Sequence, residues 1–376
     1  METSSWVRRT LGIGALLLFA ISRGLGADNS PDTIAKFLAG LAVPAAPVDA
    51  PAGGNPWITH STELDRAWKR TDQQLAAIAS WAPDLLGPAY LEGNTMFYMF
   101  SGPDFLYAHA FFPNARTYIL CGTEPVGAIP DLSRIPPDTL PAALANVRKS
   151  LGSVLDWSFF ITKNMKTDLT QAQLSGTVPL LYVFLARAGC TIDSVTPVTI
   201  DKTGTVTENE KGETPGVRIV FNSTAQSAQT LYYFCSDLSD DGVKSTPGFL
   251  QFCARQGNGV SMLKAASYLM HEPGFSRVRE FLLAKSNMIL QDDSGIPLRF
   301  LERPDWNIRY CGLYVGPIET FKKYWQPDLA AESARSAPTP LPFGFGYQWQ
   351  PNRSGLMIVT RKDTNTGRLP SDASSD

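Results

Sequence analysis

The segment between residues 95 and 122 constrains the fold of this chain more than any other. The letters TMFYMF predict a buried strand, PDFLYAHAFF predicts a helix, and RTYILC predicts a second strand. One helix between two short strands indicates a βαβ unit, in which the two strands run parallel and the crossover is right-handed. We therefore predict an α/β fold, with a mixed α+β arrangement as the alternative.

Patterns on either side of this unit predict the remaining elements. Apolar residues at helical spacing between Leu64 and Trp81 predict a long helix, for which Thr62 is a plausible N-cap. Three alternating apolar stretches after the unit predict a mainly antiparallel strand section. Three helices are predicted further on, the second of them SMLKAASYLMH at 261–271, followed by a C-terminal α/β section.

The same patterns divide the chain into five regions. We assign, in order, a signal peptide, a short helix with a linker rich in proline and alanine, an α/β section with antiparallel strands, a helical and α/β section packed on it, and a disordered tail. Their boundaries are 1–27, 28–58, 59–243, 244–362 and 363–376.

The first region predicts export from the cell. Arg8 and Arg9 precede a short apolar run, and small residues follow it with possible cleavage after Gly26 or Ala27. A charged start, a short apolar core and a small-residue exit are typical of a secretory signal peptide, and an uncleaved membrane anchor is the alternative. We expect a secreted or periplasmic protein.

Composition excludes several classes of function. The formal net charge is −2, which lacks the basic excess that nucleic-acid binding requires. No later segment approaches 18 consecutive apolar residues, so we expect a soluble mature protein without a membrane span. The three histidines show no metal-ligand spacing and no cysteines form a CxxC pair, so the sequence predicts no metal or other cofactor.

The segment DKTGTVTEN, which begins at Asp201, resembles the phosphorylation motif of P-type ion-pumping ATPases. That family needs many membrane spans and a downstream acidic motif that holds Mg²⁺, and this chain shows neither. An apolar strand precedes Asp201, a glycine-containing loop follows, and another strand comes after it. We therefore predict a β-hairpin at this position.

The segment SMLK has the SxxK form of penicillin-binding proteins and β-lactamases. In that family a KTG element follows SxxK, whereas here KTG comes first, at 202–204. We expect Ser261 to cap a helix and Lys264 to lie on its solvated face.

Polar residues at the ends of the two strands of the βαβ unit mark one candidate site. SGPD, from Ser101 to Asp104, follows the first strand, and Glu124 follows the second. Ligands of open α/β sheets bind beyond the carboxyl ends of the strands, so Ser101 and Asp104 are candidate binding residues and Glu124 is a candidate catalytic acid. Both SGPD residues also suit a helix start, where Ser101 would act as the cap.

The segment QDDSGIP gives two further candidate acids, Asp292 and Asp293. On extended chain their side chains should point to opposite faces, so a catalytic pair would need a carboxylate from elsewhere, such as Glu124 or Asp104. Two carboxylates within about 5–10 Å would suit glycoside hydrolysis. They would equally suit Ca²⁺, and the remaining alternative is that one aspartate caps a turn and the other faces solvent.

Aromatic residues near the C-terminus predict the rim of a cleft. LPFGFGYQWQ alternates aromatic residues with glycine, and we take Tyr347 and Trp306 as candidate binding residues for a glycan or a peptide. Packing in the core is the competing role for such residues.

The stretches FYMFSGPDFLYAHAFFP, EPVG and QDDSGIP resemble a group of uncharacterised exported bacterial proteins. The resemblance implies export and no known activity. Two functional hypotheses follow from the residues. One is an extracytoplasmic hydrolase that uses clustered carboxylates, and the other is a non-catalytic glycan- or peptide-binding protein associated with the envelope.

Overall fold

The computed structural model describes residues 29–43, 55–157, 174–208, 212–301 and 304–362. The predicted signal peptide, most of the linker and the predicted tail lie outside the described residues. No helix among the described residues is long and apolar enough to cross a membrane.

The described helices lie on both sides of a single sheet. They are Pro31–Leu38 (α1), Pro56–Leu86 (α2), Pro88–Leu91 (α3), Phe105–Phe111 (α4), Leu140–Trp157 (α5), Val178–Arg187 (α6), Asp240–Ser245 (α7), Gly248–Arg255 (α8), Ser276–Lys285 (α9) and Pro327–Arg335 (α10). The strands are Thr95–Tyr98 (β1), Thr117–Gly122 (β2), Thr191–Ile200 (β3), Val206–Thr207 (β4), Thr214–Asn222 (β5), Gln229–Cys235 (β6), Gly259–Leu263 (β7), Ser286–Gln291 (β8), Trp306–Gly312 (β9) and Gly355–Arg361 (β10).

The ten strands form one mixed sheet in the order β4-β3-β5-β6-β2-β1-β7-β8-β10-β9. Its centre, β6-β2-β1-β7-β8, is parallel, and antiparallel strands extend it at both edges. The predicted α/β class, the βαβ unit formed by β1, α4 and β2, and the antiparallel section are confirmed. Strands from both predicted sections, 59–243 and 244–362, belong to this sheet.

Two apolar cores lie on the two faces of the sheet. Alternate residues of β1 point to opposite faces, so that Met96 and Tyr98 join one core and Phe97 joins the other. The first core packs against α1, α2, α4, α5 and α6, and the second packs against α8, α9 and α10. Burial on both faces explains why the central strands have nearly continuous apolar sequences.

Two local predictions are wrong. The segment predicted as a helix at 261–271 begins as β7, in which every residue is buried between β1 and β8. The residues after β7 favour a helix, and the local pattern carries no information that β7 pairs with β1, which lies far earlier in the chain. The long helix α2 also starts earlier than predicted. Its N-cap is Asn55, whose side chain accepts from the Trp57 N–H, and Thr62 lies inside the helix.

The DKTG segment turns between β3 and the short strand β4, and β3 also pairs antiparallel with β5, whose sequence GVRIVF is the second strand of the predicted hairpin. Oδ1 of Asp201 accepts hydrogen bonds from the backbone N–H groups of Thr203 and Thr205 and from the Thr203 hydroxyl, at 2.7–2.9 Å. These bonds lower the pKa of the Asp201 carboxyl. The aspartate therefore stabilises an exposed turn.

Neutral His60, in α2, forms hydrogen bonds with α1 and α5 in the first core. Its Nε2 lies 2.8 Å from the Leu38 carbonyl oxygen and its Nδ1 lies 2.9 Å from Nη1 of Arg148. The carbonyl requires a proton on Nε2 and the guanidinium requires a lone pair on Nδ1, which defines one neutral tautomer. Burial, chiefly, lowers the pKa of His60 to about 4.

Replacing His60 by glutamine should make stability less sensitive to acid. The folded-state pKa lies below the unfolded value of about 6.5, so the stabilisation from His60 is complete near pH 7 and is lost as the pH falls toward 4. At pH 5 the loss should be about 2 kcal/mol relative to pH 7. Urea denaturation of both proteins at pH 5 and 7 measures this difference, and an equal loss in H60Q would contradict it.

Candidate functional site

The strand order reverses beside β1. From β1 the chain builds outward through β2 and β6 on one side, and it later returns to place β7 and β8 on the other side. Helices that follow β1 and β7 lie on opposite faces, so the loops after these strands separate and leave a crevice. This position at the carboxyl ends of the strands is where the sequence predicted a ligand.

A cavity of about 330 Å³ occupies this crevice, and we call it the switch-point pocket. The segments that follow β1, β2, β6 and β7 all contribute to its wall. Its ionisable lining side chains are Tyr98, Asp104, Cys121, Glu124, Asp237 and Lys264, and its larger apolar ones are Phe100, Leu238, Leu269 and Phe275. The structure thus brings Ser101, Asp104 and Glu124 together as the sequence predicted, and it adds Lys264.

A buried ion pair joins the two sides of the crevice. Nζ of Lys264 lies 2.7 Å from Oδ2 of Asp104, and both side chains are almost completely buried. The same carboxylate oxygen accepts the Tyr98 hydroxyl proton at 2.8 Å, while Oδ1 accepts from the Tyr107 N–H at 3.3 Å. Asp104 is therefore the N-cap of α4.

Lys264 also lies 3.5 Å from the centre of the Tyr107 ring, in a cation–π contact. Burial lowers the pKa of the Lys264 ammonium, and the nearby Asp104 carboxylate opposes that shift. The pKa of Tyr98 is raised well above its ordinary value, first by burial and then by Asp104, so its hydroxyl remains a hydrogen-bond donor. These contacts fix the positions of a cation and an anion in the floor of the pocket.

Glu124 is only 2% exposed, yet it lines the pocket. Among the described residues, the Tyr233 hydroxyl is the one group that hydrogen-bonds its carboxylate, at 3.4 Å. That hydroxyl has a single proton and lies closer, at 2.9 Å, to the backbone oxygen of Glu124. The Glu124 carboxylate and the Glu124 backbone oxygen therefore compete for the one proton of the Tyr233 hydroxyl.

Glycine makes room for this carboxylate. A Cβ at Gly122 would lie 2.2 Å from Oε2 of Glu124 and 2.9 Å from the Cα of Gly102. Any other residue at the end of β2 would push the Glu124 side chain or the SGPD loop away. Gly122 at the end of β2 thus leaves the space that the Glu124 carboxylate occupies in the pocket.

Strained backbone surrounds the pocket. Phe100, Ala265, Ser267 and Tyr268 have φ between 50° and 61°, which is the left-handed region that residues with a Cβ rarely adopt. The first three line the pocket and Tyr268 adjoins it. Each such residue costs on the order of 1 kcal/mol, and strain of this kind concentrates at functional sites.

The Ser101 hydroxyl forms hydrogen bonds with backbone groups at the ends of β1 and β2, and it does not cap α4. Its hydroxyl donates to the carbonyl of Gly102 at 2.7 Å or Cys121 at 3.3 Å, and it accepts from the Cys121 N–H at 3.2 Å. The prediction that Ser101 caps the helix is wrong, because Asp104 occupies that position. Ser101 instead fixes the ends of β1 and β2 next to each other.

Asp292 lies outside the lining of the switch-point pocket and its carboxylate is saturated. It accepts from the Ala265 N–H at 3.0 Å, and from both the N–H and the hydroxyl of Ser294. A Cβ at Gly346, whose φ is +71°, would lie 1.8 Å from its Oδ2. Burial raises the pKa of Asp292. The expectation that one of the two aspartates caps a turn fits Asp292, which holds three segments together.

Asp293 lies beneath a stack of tyrosines. Its Oδ2 accepts from the Tyr268 hydroxyl at 2.9 Å, and the Tyr268 ring is stacked between those of Tyr324 and Tyr347. Burial and the adjacent Asp292 raise the pKa of Asp293 to about 7. Asp292 and Asp293 both line a smaller cavity, separate from the lining that contains Glu124. Asp292 is buried, whereas Asp293 is half-buried.

The two aromatic candidates occupy different places. Trp306 is buried in the second core, with the Arg361 guanidinium 4.4 Å from its ring centre. Tyr347 reaches the rim of the pocket, where its hydroxyl lies 3.2 Å from both the N–H and the hydroxyl of Ser267. The predicted rim role therefore fits the position of Tyr347, and core packing describes Trp306.

The sequence patterns did not predict that Lys264, Tyr98 and Tyr233 belong to the site. Lys264 was expected on a solvated helical face, and that expectation is wrong because it follows the buried strand β7. The available signal was the run GVSML directly before it, which is apolar enough for a central strand. Among the described residues, no three histidine, cysteine or acidic side chains are grouped to hold a metal ion.

Comparison with models of known protein families, with curated protein sequences and with solved structures gives no match for this chain. The resemblance to uncharacterised exported proteins therefore stays a prediction. The residues of the switch-point pocket and their contacts are therefore the basis for assigning a function.

Removing either partner of the Asp104–Lys264 pair should strongly destabilise the protein. Asp104→Asn or Lys264→Met leaves one buried charge without its partner, which costs about 3–5 kcal/mol. The double variant should lose less than the sum of the two, because no uncompensated charge remains. Chemical denaturation measures all three, with Lys322→Met as a control in the exposed pair with Glu319, where we expect little change. If the stability loss of the double variant equals the sum of the two single losses, Asp104 and Lys264 are not coupled and the prediction is wrong.

Asp293 should make the protein less stable at higher pH. Its folded-state pKa of about 7 exceeds the unfolded value of about 4, so its contribution is complete below pH 4 and is lost as the pH rises through 7. Asp293→Asn should reduce this fall and leave the part that the raised pKa of Asp292 contributes, whereas Asp84→Asn on the exposed face of α2 should leave the fall unchanged. Urea midpoints at pH 5 and 8 give the comparison, and an unchanged pH dependence in D293N would refute the assignment.

Proposed function

We propose that this protein is an exported hydrolase that acts on a small polar molecule bound in the switch-point pocket. One observation carries the proposal. Glu124 is buried, lines the pocket and lacks a full hydrogen-bond partner within the described chain. A buried carboxylate in that condition is costly unless a molecule in the pocket supplies a donor.

Glu124 has the properties of a general base. A carboxylate that lines the pocket can accept a proton from a bound water while that water attacks the substrate. In the same way it can return the proton to the leaving group. Because its competing donor within the protein is weak, a water or substrate hydroxyl can take the free acceptor positions.

Lys264 would stabilise negative charge that develops during the reaction. It is the one lysine or arginine among the residues that line the pocket, and the bond to Asp104 fixes its position before substrate arrives. Charge that is fixed in advance needs no reorganisation in the transition state. This assignment gives Asp104 a positioning role, since the carboxylate is committed to Lys264, Tyr98 and the helix N-terminus.

Asp292 and Asp293 have no part in the proposed chemistry. The first is saturated with hydrogen bonds and the second lies in a different cavity, so the carboxylate that acts is Glu124 alone. Export rests on the N-terminal sequence pattern. A non-catalytic role for the same pocket is the alternative that the following experiment separates from hydrolysis.

Glu124→Gln should strongly reduce turnover and leave the fold intact. We would screen the purified wild-type chain against nitrophenyl esters, phosphates and glycosides and against aminoacyl anilides. With any substrate that is turned over, Glu124→Gln should lower kcat at least about 100-fold, because general base catalysis typically contributes that much. Glu280→Gln, on the exposed side of α9, is the matched control and should keep full activity.

Two outcomes would contradict the proposal. Unchanged kcat in E124Q with any substrate would remove Glu124 from the mechanism. Absence of turnover across the whole panel, with a folded wild-type protein that still binds small molecules in this pocket, would favour the binding protein.

A further inference from the structure

One wall of the switch-point pocket is a segment with an unfavourable backbone conformation. Residues 265–268, which we call the wall segment, directly follow Lys264, and Ala265 and Ser267 line the pocket. Ala265, Ser267 and Tyr268 have φ of 50°, 52° and 56°. Residues with a Cβ rarely adopt this region. The wall segment therefore needs contacts from other parts of the chain to keep this conformation.

The turn that follows β8 forms hydrogen bonds with two backbone groups of the wall segment. Oδ2 of Asp292 accepts from the Ala265 N–H at 3.0 Å, and Oγ of Ser294 accepts from the Ala266 N–H at 2.7 Å. The Asp292 N–H donates in turn to the Leu263 carbonyl at 3.2 Å. The turn thus holds the start of the wall segment against the end of β7.

The side chain of Tyr268 holds the other end of the segment. Its hydroxyl donates to Oδ2 of Asp293 at 2.9 Å. Its ring is buried and lies nearly parallel to those of Tyr324 and Tyr347, with ring centres 4.9 Å and 6.1 Å away. The Tyr347 hydroxyl lies 3.2 Å from the N–H of Ser267. A change of φ at Tyr268 would turn its side chain away from both the carboxylate and the stack.

We propose that Tyr268 and Asp293 are positioning residues, which hold the wall segment in the conformation that encloses the switch-point pocket beside Lys264. Neither is among the residues that line the pocket, so they act through the backbone of the segment. Without the bond between them, the segment can relax toward negative φ, and the backbone next to Lys264 moves with it. This inference rests on the proposed function only for its effect on turnover, because the strained backbone and its hydrogen bonds are features of the protein alone.

Hydrogen exchange measured by mass spectrometry tests the hold on the wall segment. Tyr268→Phe removes the hydroxyl and keeps the ring, and Asp293→Ala removes the acceptor. Each variant should speed exchange of the amides at 265–268 at least about tenfold, because local opening becomes easier. The double variant should exchange no faster than either single variant, since both remove the same bond. Exchange as slow as in the wild type in both single variants would overturn the proposal.

Two conservative variants serve as controls. Asp293→Asn keeps an oxygen that can accept from Tyr268, so it should keep the slow exchange of the wild type. Tyr324→Phe removes a hydroxyl from the same stack, but that hydroxyl donates to Glu272 and not to Asp293, so exchange should again stay slow. Equally fast exchange in Y324F and Y268F, or in D293N and D293A, would refute the assignment to the Tyr268–Asp293 bond.

Steady-state kinetics test whether the wall segment positions the reaction. With a substrate from the panel, Y268F and D293A should lower kcat about tenfold and change KM less than about threefold, because Lys264 acts on charge that develops in the transition state. D293N and Y324F should keep the wild-type values. Faster exchange in Y268F with unchanged kcat would show that the bond only stabilises the wall, and would overturn the positioning role.

The two measurements together separate this inference from the proposed function. A wild-type protein without turnover, combined with faster exchange in Y268F and D293A, refutes the hydrolase and keeps the hold on the wall segment. Turnover that E124Q reduces, combined with wild-type exchange and kcat in Y268F, keeps the hydrolase and refutes the positioning residues.

Discussion

The ion pair between Asp104 and Lys264 is the interaction on which the site depends. Burying two charges is unfavourable unless each finds its partner and its remaining hydrogen bonds. Asp104 meets this requirement through Lys264, Tyr98 and the first turn of α4, and Lys264 meets it through Asp104 and the Tyr107 ring. Asp104 follows β1 and Lys264 follows β7. The ion pair between them therefore also sets the width of the crevice at which the strand order reverses.

The acidic residues near that pair and elsewhere in the sheet differ in their hydrogen bonding. Some carboxylates are bonded to backbone groups and stabilise turns, whereas one has acceptor positions left for a bound molecule. Asp201 closes a hairpin turn, and Asp292 fixes the turn after β7 together with the segment at Gly346. Each of these two carboxylates accepts three hydrogen bonds from the protein. Glu124 is as deeply buried as Asp292 but receives only a long bond from Tyr233. Number of donors, rather than burial or sequence position, distinguishes a candidate for chemistry from a structural carboxylate.

Much of the fold could be predicted from the sequence, because local patterns are sufficient for amphipathic helices, for the βαβ unit and for the antiparallel section. The site was predicted only in part. Ser101, Asp104 and Glu124 follow strands that the local pattern identifies, so their meeting could be anticipated. Lys264 was placed wrongly, because the short apolar run GVSML before it fits a buried strand or a buried helix, and its pairing with β1 and β8 decides between them. The degree to which Glu124 and Asp292 are hydrogen-bonded depends on contacts that no local pattern encodes.

The pairing of β1 also has a consequence for how the protein is made. β1 is the centre of the sheet, and Thr95 at its start is paired with Gly259, which is far away in the sequence. Until that later segment has been synthesised, one edge of β1 has no neighbour and Asp104 lacks Lys264 as its ion-pair partner. Contacts of such long sequence separation form slowly. The switch-point pocket therefore forms late in folding, and no amino-terminal portion of the chain that ends before Lys264 can contain it.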